Sequence, residues 1–183
     1  MPYLKYFDNK TNYGNRGMVL EEDINATNEY YLTNDIAVIY KKPTPIKILK
    51  LDYTTNKITN AFFETQSTLD YNGIYKGKYI EFDAKETKSK TSFPLNNIHP
   101  HQLKHMERIY KHGGICFLIV RFVLLDKTYL LFANDLLEFI NNNDRKSIPL
   151  SFFEERCKKI ELKYSPRLDY IKIIKECMKK WKY

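Results

Sequence analysis

The sequence predicts a single α/β domain, and three observations carry that prediction. Strand-prone runs with turn residues between them come in pairs, at residues 46–53 and 58–63 and again across residues 70–85. Apolar side chains recur at helical spacing as Leu20, Ile24, Thr27 and Tyr31, and again as Leu168, Ile171, Ile174, Met178 and Trp181. Both patterns run through 183 residues without an internal repeat or a long low-complexity linker, a length that buries one sizeable core.

The elements follow in order. Residues 1–14 are polar, rich in Asn, Lys and Tyr and without periodicity, so they read as a flexible N-terminal arm before one folded domain over 15–183. A helix is expected over 15–32, with Glu21, Glu22 and Asp23 near its positive end. Residues 35–41 read as a buried strand that Pro43 and Pro45 interrupt. Thr54-Thr55-Asn56-Lys57 joins the next two runs into a hairpin whose tip and flanks carry Lys47, Lys50 and Lys57. Such a basic hairpin suits DNA; an ordinary surface hairpin with a solvated lysine face is the plainer alternative. Asn72-Gly73 and Lys76-Gly77 punctuate the second hairpin. A helix over 100–111 ends at Gly113-Gly114, strands follow at 115–123 and 128–133, and short helices fill the remainder, the last starting at Ser165-Pro166.

Lysine and arginine outnumber aspartate and glutamate by 30 to 22, and the net charge of +8 favours polyanionic partners. Cys116, Cys157 and Cys177 are widely spaced with no CxxC pair, which argues against a disulfide framework or a cysteine zinc site and fits a reducing cytoplasm. The most apolar stretch, 115–125, is interrupted by Arg121 and is too short to span a bilayer, so no membrane partner is expected.

The chemistry concentrates in Tyr79-Ile80-Glu81-Phe82-Asp83-Ala84-Lys85. The period of two puts Ile80, Phe82 and Ala84 on one face and Glu81, Asp83 and Lys85 on the other. Neighbours on that face stand roughly 7 Å apart, so a carboxylate and an ammonium can reach one phosphate or one metal-bound water. If the preceding segment folds back as a hairpin, Asp70 returns to the edge that carries Asp83, and two carboxylates can share a Mg²⁺ ion. Hydrolysis of a phosphodiester needs a hard cation on oxygen ligands, a positioned water and positive charge beside the transition state. Lys85 can supply that charge or, with a lowered pKa, deprotonate the water. An Asp followed at a distance by D-x-K is also a common chance pattern, for which an exposed ion-pair face is the bland account.

The stretches NRGM (15–18), YYLTNDIAVIYKKPTP (30–45), DYNGIYKGKYIEFDAKETK (70–88), KTSFPLNNIHPHQLKHM (90–106) and SPRLDY (165–170) are far more specific. In order and spacing this set resembles the RecU family of Holliday-junction resolvases. The resemblance implies a restriction-endonuclease-like mixed sheet flanked by helices, with a protruding β-hairpin stalk at about residues 43–63. It implies a homodimer that makes Mg²⁺-dependent paired cuts in four-way DNA junctions during recombination and repair, with Mn²⁺ as an alternative metal and recombination proteins as further partners. Carried over by motif, Asp70, Asp83 and Lys85 are the expected catalytic residues, and Thr68, Asp70, Asp83 and Gln102 the expected metal set. The sequence departs from the family in carrying Asp83 where Glu is usual and Glu81 where Asp is usual, as though two carboxylates had exchanged lengths. The hairpin is also slightly short, and Lys57 stands where arginine is common.

Arg16, Lys50 and Lys57 are the expected DNA contacts, Arg16 through a phosphate near the first helix's N-terminus. Lys88, Lys90 and Thr91 extend the same track or simply solvate a loop. His99, His101, His105 and His112 lie close together, yet without an HExxH motif or a nearby cysteine they do not make a zinc site.

Overall fold

A computed structural model describes residues 18–43, 45–63 and 68–180. The expected N-terminal arm, Arg16 and Trp181 lie outside the described residues. The chain forms a six-stranded mixed sheet with helices on both faces. In chain order the main elements are helix α1 (Met18–Thr33), β1 (Val38–Lys41), β2 (Ile46–Asp52), β3 (Lys57–Phe63), β4 (Tyr71–Tyr75), β5 (Lys78–Thr87) and β6 (Ser92–Pro94). They continue with α2 (Pro100–Lys111), β7 (Ile115–Phe122), β8 (Lys127–Phe132), α3 (Ala133–Asn142), β9 (Ser147–Pro149), α4 (Leu150–Arg156), β10 (Lys158–Ile160) and α5 (Tyr170–Lys180).

The main sheet runs β1-β4-β5-β7-β8-β10, with β5 and β7 its one parallel pair and every other neighbour antiparallel. A parallel pair needs a long crossover, and here β6 and α2 lie within it. β7 is central and buried along its whole length, so it feeds both cores. Ile115, Phe117 and Ile119 join Leu20, Ile24 and Tyr31 of α1 and Ile171 and Ile174 of α5. Cys116, Leu118, Val120 and Phe122 join Met106 of α2, Leu136 and Phe139 of α3 and Phe153 of α4. The stripe Leu20, Ile24, Thr27 and Tyr31 is buried as its spacing predicts.

Three expectations need correcting. Asn72-Gly73 is not a turn but lies inside β4, opposite Glu81 and Ile80, and only Lys76-Gly77 makes the reversal, both residues at positive φ. A Cβ on Gly73 would sit 2.0 Å from Val38 O, so the glycine serves the close approach of β1. The strand expected to be buried is instead the sheet edge: Ile39 faces the core, while Val38 and Tyr40 are exposed because α1 covers only one face there. The terminal helix starts at Tyr170, not at Ser165-Pro166. Residues 162–168 are held out of the helix by a Leu162–Leu168 bridge, by Lys163 N–H donating to Arg167 O, and by Leu168 N–H donating to Thr27 Oγ1.

The β2–β3 hairpin forms a separate two-stranded ribbon that pairs with no strand of the main sheet. Asp52 braces its turn by accepting from Thr54 and Thr55, which hold its carboxyl down at about 2. Ile46, Ile48, Leu49, Ile58 and Phe62 are all exposed along it, as are Lys47, Lys50 and Lys57.

Candidate active site

The antiparallel register of β4 with β5 pairs Tyr71 with Phe82, which sets Asp70 beside Asp83 one step further along. The two faces of β5 divide as the period of two requires: Ile80 and Phe82 enter the first core, and Glu81, Asp83 and Lys85 point to the other side. That ionic face is not exposed, since Glu81 and Asp83 are both 0% accessible. Buried carboxylates must find partners, and the two find different kinds.

Asp83 Oδ2 accepts from Gln102 Nε2 at 2.7 Å and pairs with Lys85 Nζ at 2.8 Å. Asp83 Oδ1 is buried and has no hydrogen-bond donor among the described residues. Gln102 occupies the first turn of α2, and its Oε1 accepts the His99 backbone N–H at 3.2 Å. The side chain is therefore locked at both ends, with its amide nitrogen facing Asp83. Asp70 is half-buried, and its carboxyl is pushed up to about 6, first by burial and then by the neighbouring Asp83 carboxylate, against the pull of Lys85 and Lys41. A cation placed beside Asp70 would offset both its burial and the repulsion from Asp83.

Glu81 is satisfied by protein groups instead. It accepts from Lys42, from Tyr79 OH at 2.9 Å and from Thr68 Oγ1 at 3.3 Å, and His105 Nε2 stands 2.9 Å from Oε2. Burial raises its pKa, but Lys42, His105 and Tyr79 together outweigh burial and hold it below the ordinary glutamate value. The longer of the exchanged carboxylates thus reaches a ring of donors, while the shorter keeps one oxygen free of them.

The structure therefore brings Thr68, Asp70, Asp83, Lys85 and Gln102 together on one face of the sheet, where the start of β4 meets the middle of β5, Thr68 joining through Glu81 and Lys42. Lys50 and Lys57 are not part of this buried cluster and lie on the β2–β3 ribbon. Lys42 and Tyr79 were not singled out by the sequence, because nothing in local spacing shows that Lys42, beyond β1 and before Pro43, turns toward Glu81. His105 carried a signal, four histidines in one segment, but that signal was weighed only against a zinc site and not as a carboxylate partner. Among the described residues no three His, Cys, Asp or Glu side chains gather as a ready metal cage.

Comparison with known proteins accords with this geometry. The family model for Recombination protein U, RecU, matches residues 15–176. A protein of Geobacillus sp. (strain WCH70) called Holliday junction resolvase RecU is 54% identical over 171 residues, covering 90% of this chain and 85% of that one. Proteins of the same name from Pediococcus pentosaceus and Bacillus mycoides are 52% and 50% identical, covering 88% and 90% of this chain and 84% and 86% of theirs. The motifs, their convergence on one buried acidic site and a match over most of the chain agree: the chain belongs to the RecU family.

Proposed function

We propose that this protein is a structure-selective endodeoxyribonuclease that resolves Holliday junctions by Mg²⁺-dependent paired strand cleavage in recombination and repair. The observation that carries the reading is the buried Asp83, one oxygen oriented by Gln102 and Lys85 and the other without a donor among the described residues, beside an Asp70 held up at about 6. Mg²⁺ fits this donor set because it is commonly bound through only one or two carboxylates and keeps several waters. Mn²⁺ accepts similar oxygen ligands. Asp70 and Asp83 hold the cation, which when bound supplies Lewis-acid polarisation of the phosphate and an activated water.

Other roles follow from position. Gln102 orients Asp83 through its amide N–H, its oxygen being engaged by the helix cap. Thr68 lies next to the same site, tied to Lys42 and Glu81. Lys85 stands beside Asp83 and places positive charge where the phosphoryl oxygens gain negative charge as water adds to phosphorus and the sugar oxygen leaves. No covalent enzyme intermediate is required. Residues 15–183 act as one nuclease domain of restriction-endonuclease-like architecture, a reading supported by the mixed sheet with its acidic cluster on one face. The exposed ribbon, within residues 43–63, serves as the stalk that enters the junction, with Lys50 and Lys57 on phosphates; Arg16 is assigned to a phosphate as well. Paired cuts need two sites, hence a homodimer. Cytoplasmic action beside recombination proteins completes the reading; no described helix is long and apolar enough to cross a membrane.

The test is cleavage of a mobile four-way junction and a matched linear duplex, with and without Mg²⁺, at a salt concentration that suppresses non-specific binding. Symmetric, metal-dependent nicks confined to the junction are expected, and Lys85→Ala should slow them by about 10²–10³-fold while leaving binding intact. Equal cutting of the duplex, or an unaltered rate in Lys85→Ala, would overturn the corresponding part of the reading.

A further inference from the structure

Lys42 sits at the meeting point of three chain segments. Register places Lys41 of β1 opposite Tyr71, and one step further the Lys42 backbone N–H donates to Asp70 O at 2.7 Å. Pro43 follows, and the residue before a proline is confined to extended backbone, which keeps that N–H directed along the ladder toward Asp70. The Lys42 side chain, mostly buried, donates to Thr68 Oγ1 at 3.0 Å and pairs with the fully buried Glu81. One residue therefore grips the segment 68–70 at both its ends and fastens it to β5, the strand that carries Asp83.

We propose that Lys42 is a positioning residue: by tying Thr68 and the Asp70 backbone to Glu81, it fixes the spacing between the Asp70 and Asp83 carboxylates. The inference rests on the reading of those two acids as the cation site. Its physical basis is that the acids repel one another while the site is empty of cation charge, so the segment bearing Asp70 needs an anchor independent of Asp83. Asp70 precedes β4, and the ladder reaches it through one backbone bond from Lys42, so the Lys42 side chain supplies the further anchor, to Thr68 and Glu81. Lys42 also neutralises Glu81, which keeps a third carboxylate from competing for the cation. The rival role for a lysine here is a direct DNA phosphate contact, and the two roles separate experimentally.

The test uses the full chain with Lys42→Met, which keeps the length of the stem and removes the donors. Mn²⁺ binding is followed by electron paramagnetic resonance, and junction affinity is measured in EDTA across a salt series. Loss of an outer partner of a metal ligand typically weakens metal binding, so the Mn²⁺ dissociation constant should rise about 10-fold or more. Junction affinity in EDTA and its salt slope should stay at wild-type values. Lys42→Arg, which still offers charged N–H donors to Glu81 and Thr68, should recover most of the Mn²⁺ affinity. If Lys42→Met does not fold, Lys42→Gln, which keeps a donor without the charge, carries the same comparison. Unchanged Mn²⁺ binding with weaker junction binding and a salt slope smaller by about 0.9 would overturn the proposal in favour of a phosphate contact. A wild-type protein that binds no Mn²⁺ would overturn both the cation-site reading and this inference, whereas wild-type binding with an unaffected Lys42→Met overturns the inference alone.

Discussion

Asp70 is held where burial and the neighbouring Asp83 resist its ionisation, and that resistance has a measurable sign. The Asp70 carboxyl sits at about 6 in the folded chain against an ordinary value of 3.8, chiefly through burial and then through Asp83. The folded state thus binds more protons than the unfolded chain between those two values, so its stability falls as pH rises from about 4 through about 6. Asparagine cannot ionise and escapes that loss. In EDTA, Asp70→Asn should therefore be more stable than wild type at pH 7.5 and show no such gain at pH 4, while losing metal-dependent cleavage altogether. Urea denaturation at both values checks this; an equal difference at pH 4 and pH 7.5 would mean that the effect is packing and not charge. Glu81 has the opposite sign, since its pKa is lowered, and its contribution is present above the ordinary glutamate range and lost as pH falls. At this scale the sequence was half legible. The strand period of two put Asp83 and Lys85 on one face without any structure. The different fates of Glu81 and Asp83 depend on Lys42, Tyr79, His105 and Gln102, which come from three separate stretches of chain, and the convergence of Lys42 and of α2 on β5 leaves no local trace.

Among the elements, the β1–β4–β5 corner decides whether the site exists, and its two glycines act for different reasons. Gly77 has φ +74 in the turn that joins β4 to β5, and a Cβ there meets nothing within 4 Å. Gly73 lies in regular strand, where a Cβ would stand 2.0 Å from Val38 O and 2.6 Å from Ile39 Cα. Gly77→Ala should therefore cost only the left-handed backbone penalty, about 1–2 kcal/mol. Gly73→Ala must push β1 away from β4, at a cost of at least about 2 kcal/mol, because backbone cannot yield as a side-chain tip can. The larger consequence is functional: β1 leads into Lys42, so Gly73→Ala should also weaken Mn²⁺ binding, and Gly77→Ala should not. Stability curves with Mn²⁺ titrations on both variants test the contrast, and equal Mn²⁺ affinity in the two would break the link drawn between β1 and the site. The same corner shows why Asn72-Gly73 misleads as a turn signal. Glycine answers two needs, a positive φ and a close backbone approach, and only the neighbouring strand reveals which one operates.

Across the whole molecule, the acidic site and the basic ribbon are separate. Asp70, Glu81 and Asp83 converge on the main sheet, with Lys42 and Lys85 as their partners, while Lys47, Lys50 and Lys57 stand exposed on a ribbon that shares no ladder with it. Periodicity was sufficient to find that ribbon, because a hairpin that shares no ladder with the main sheet and is largely exposed along both strands obeys its local sequence with little tertiary interference; the edge position of β1 and the late start of α5 were hidden because both depend on contacts with other elements. The segregation predicts that binding and chemistry can be separated by mutation. If each of the three lysines neutralises one phosphate, their joint replacement by alanine should lower the slope of log affinity against log salt by about 2.7. Affinity for the junction should fall toward that for linear duplex, since lysine charge on the ribbon would no longer reward entry into the branch point. Mn²⁺ affinity and thermal stability should be unchanged, because none of the three side chains belongs to the buried cluster and exposed lysine replacements rarely move stability by more than about 0.5 kcal/mol. Cleavage at saturating enzyme should then persist with reduced selectivity for the junction. If the triple variant instead retained full junction preference and an unaltered salt slope, selectivity would have to come from the sheet face around Asp70 and Asp83, and the ribbon would be no more than a solvated hairpin.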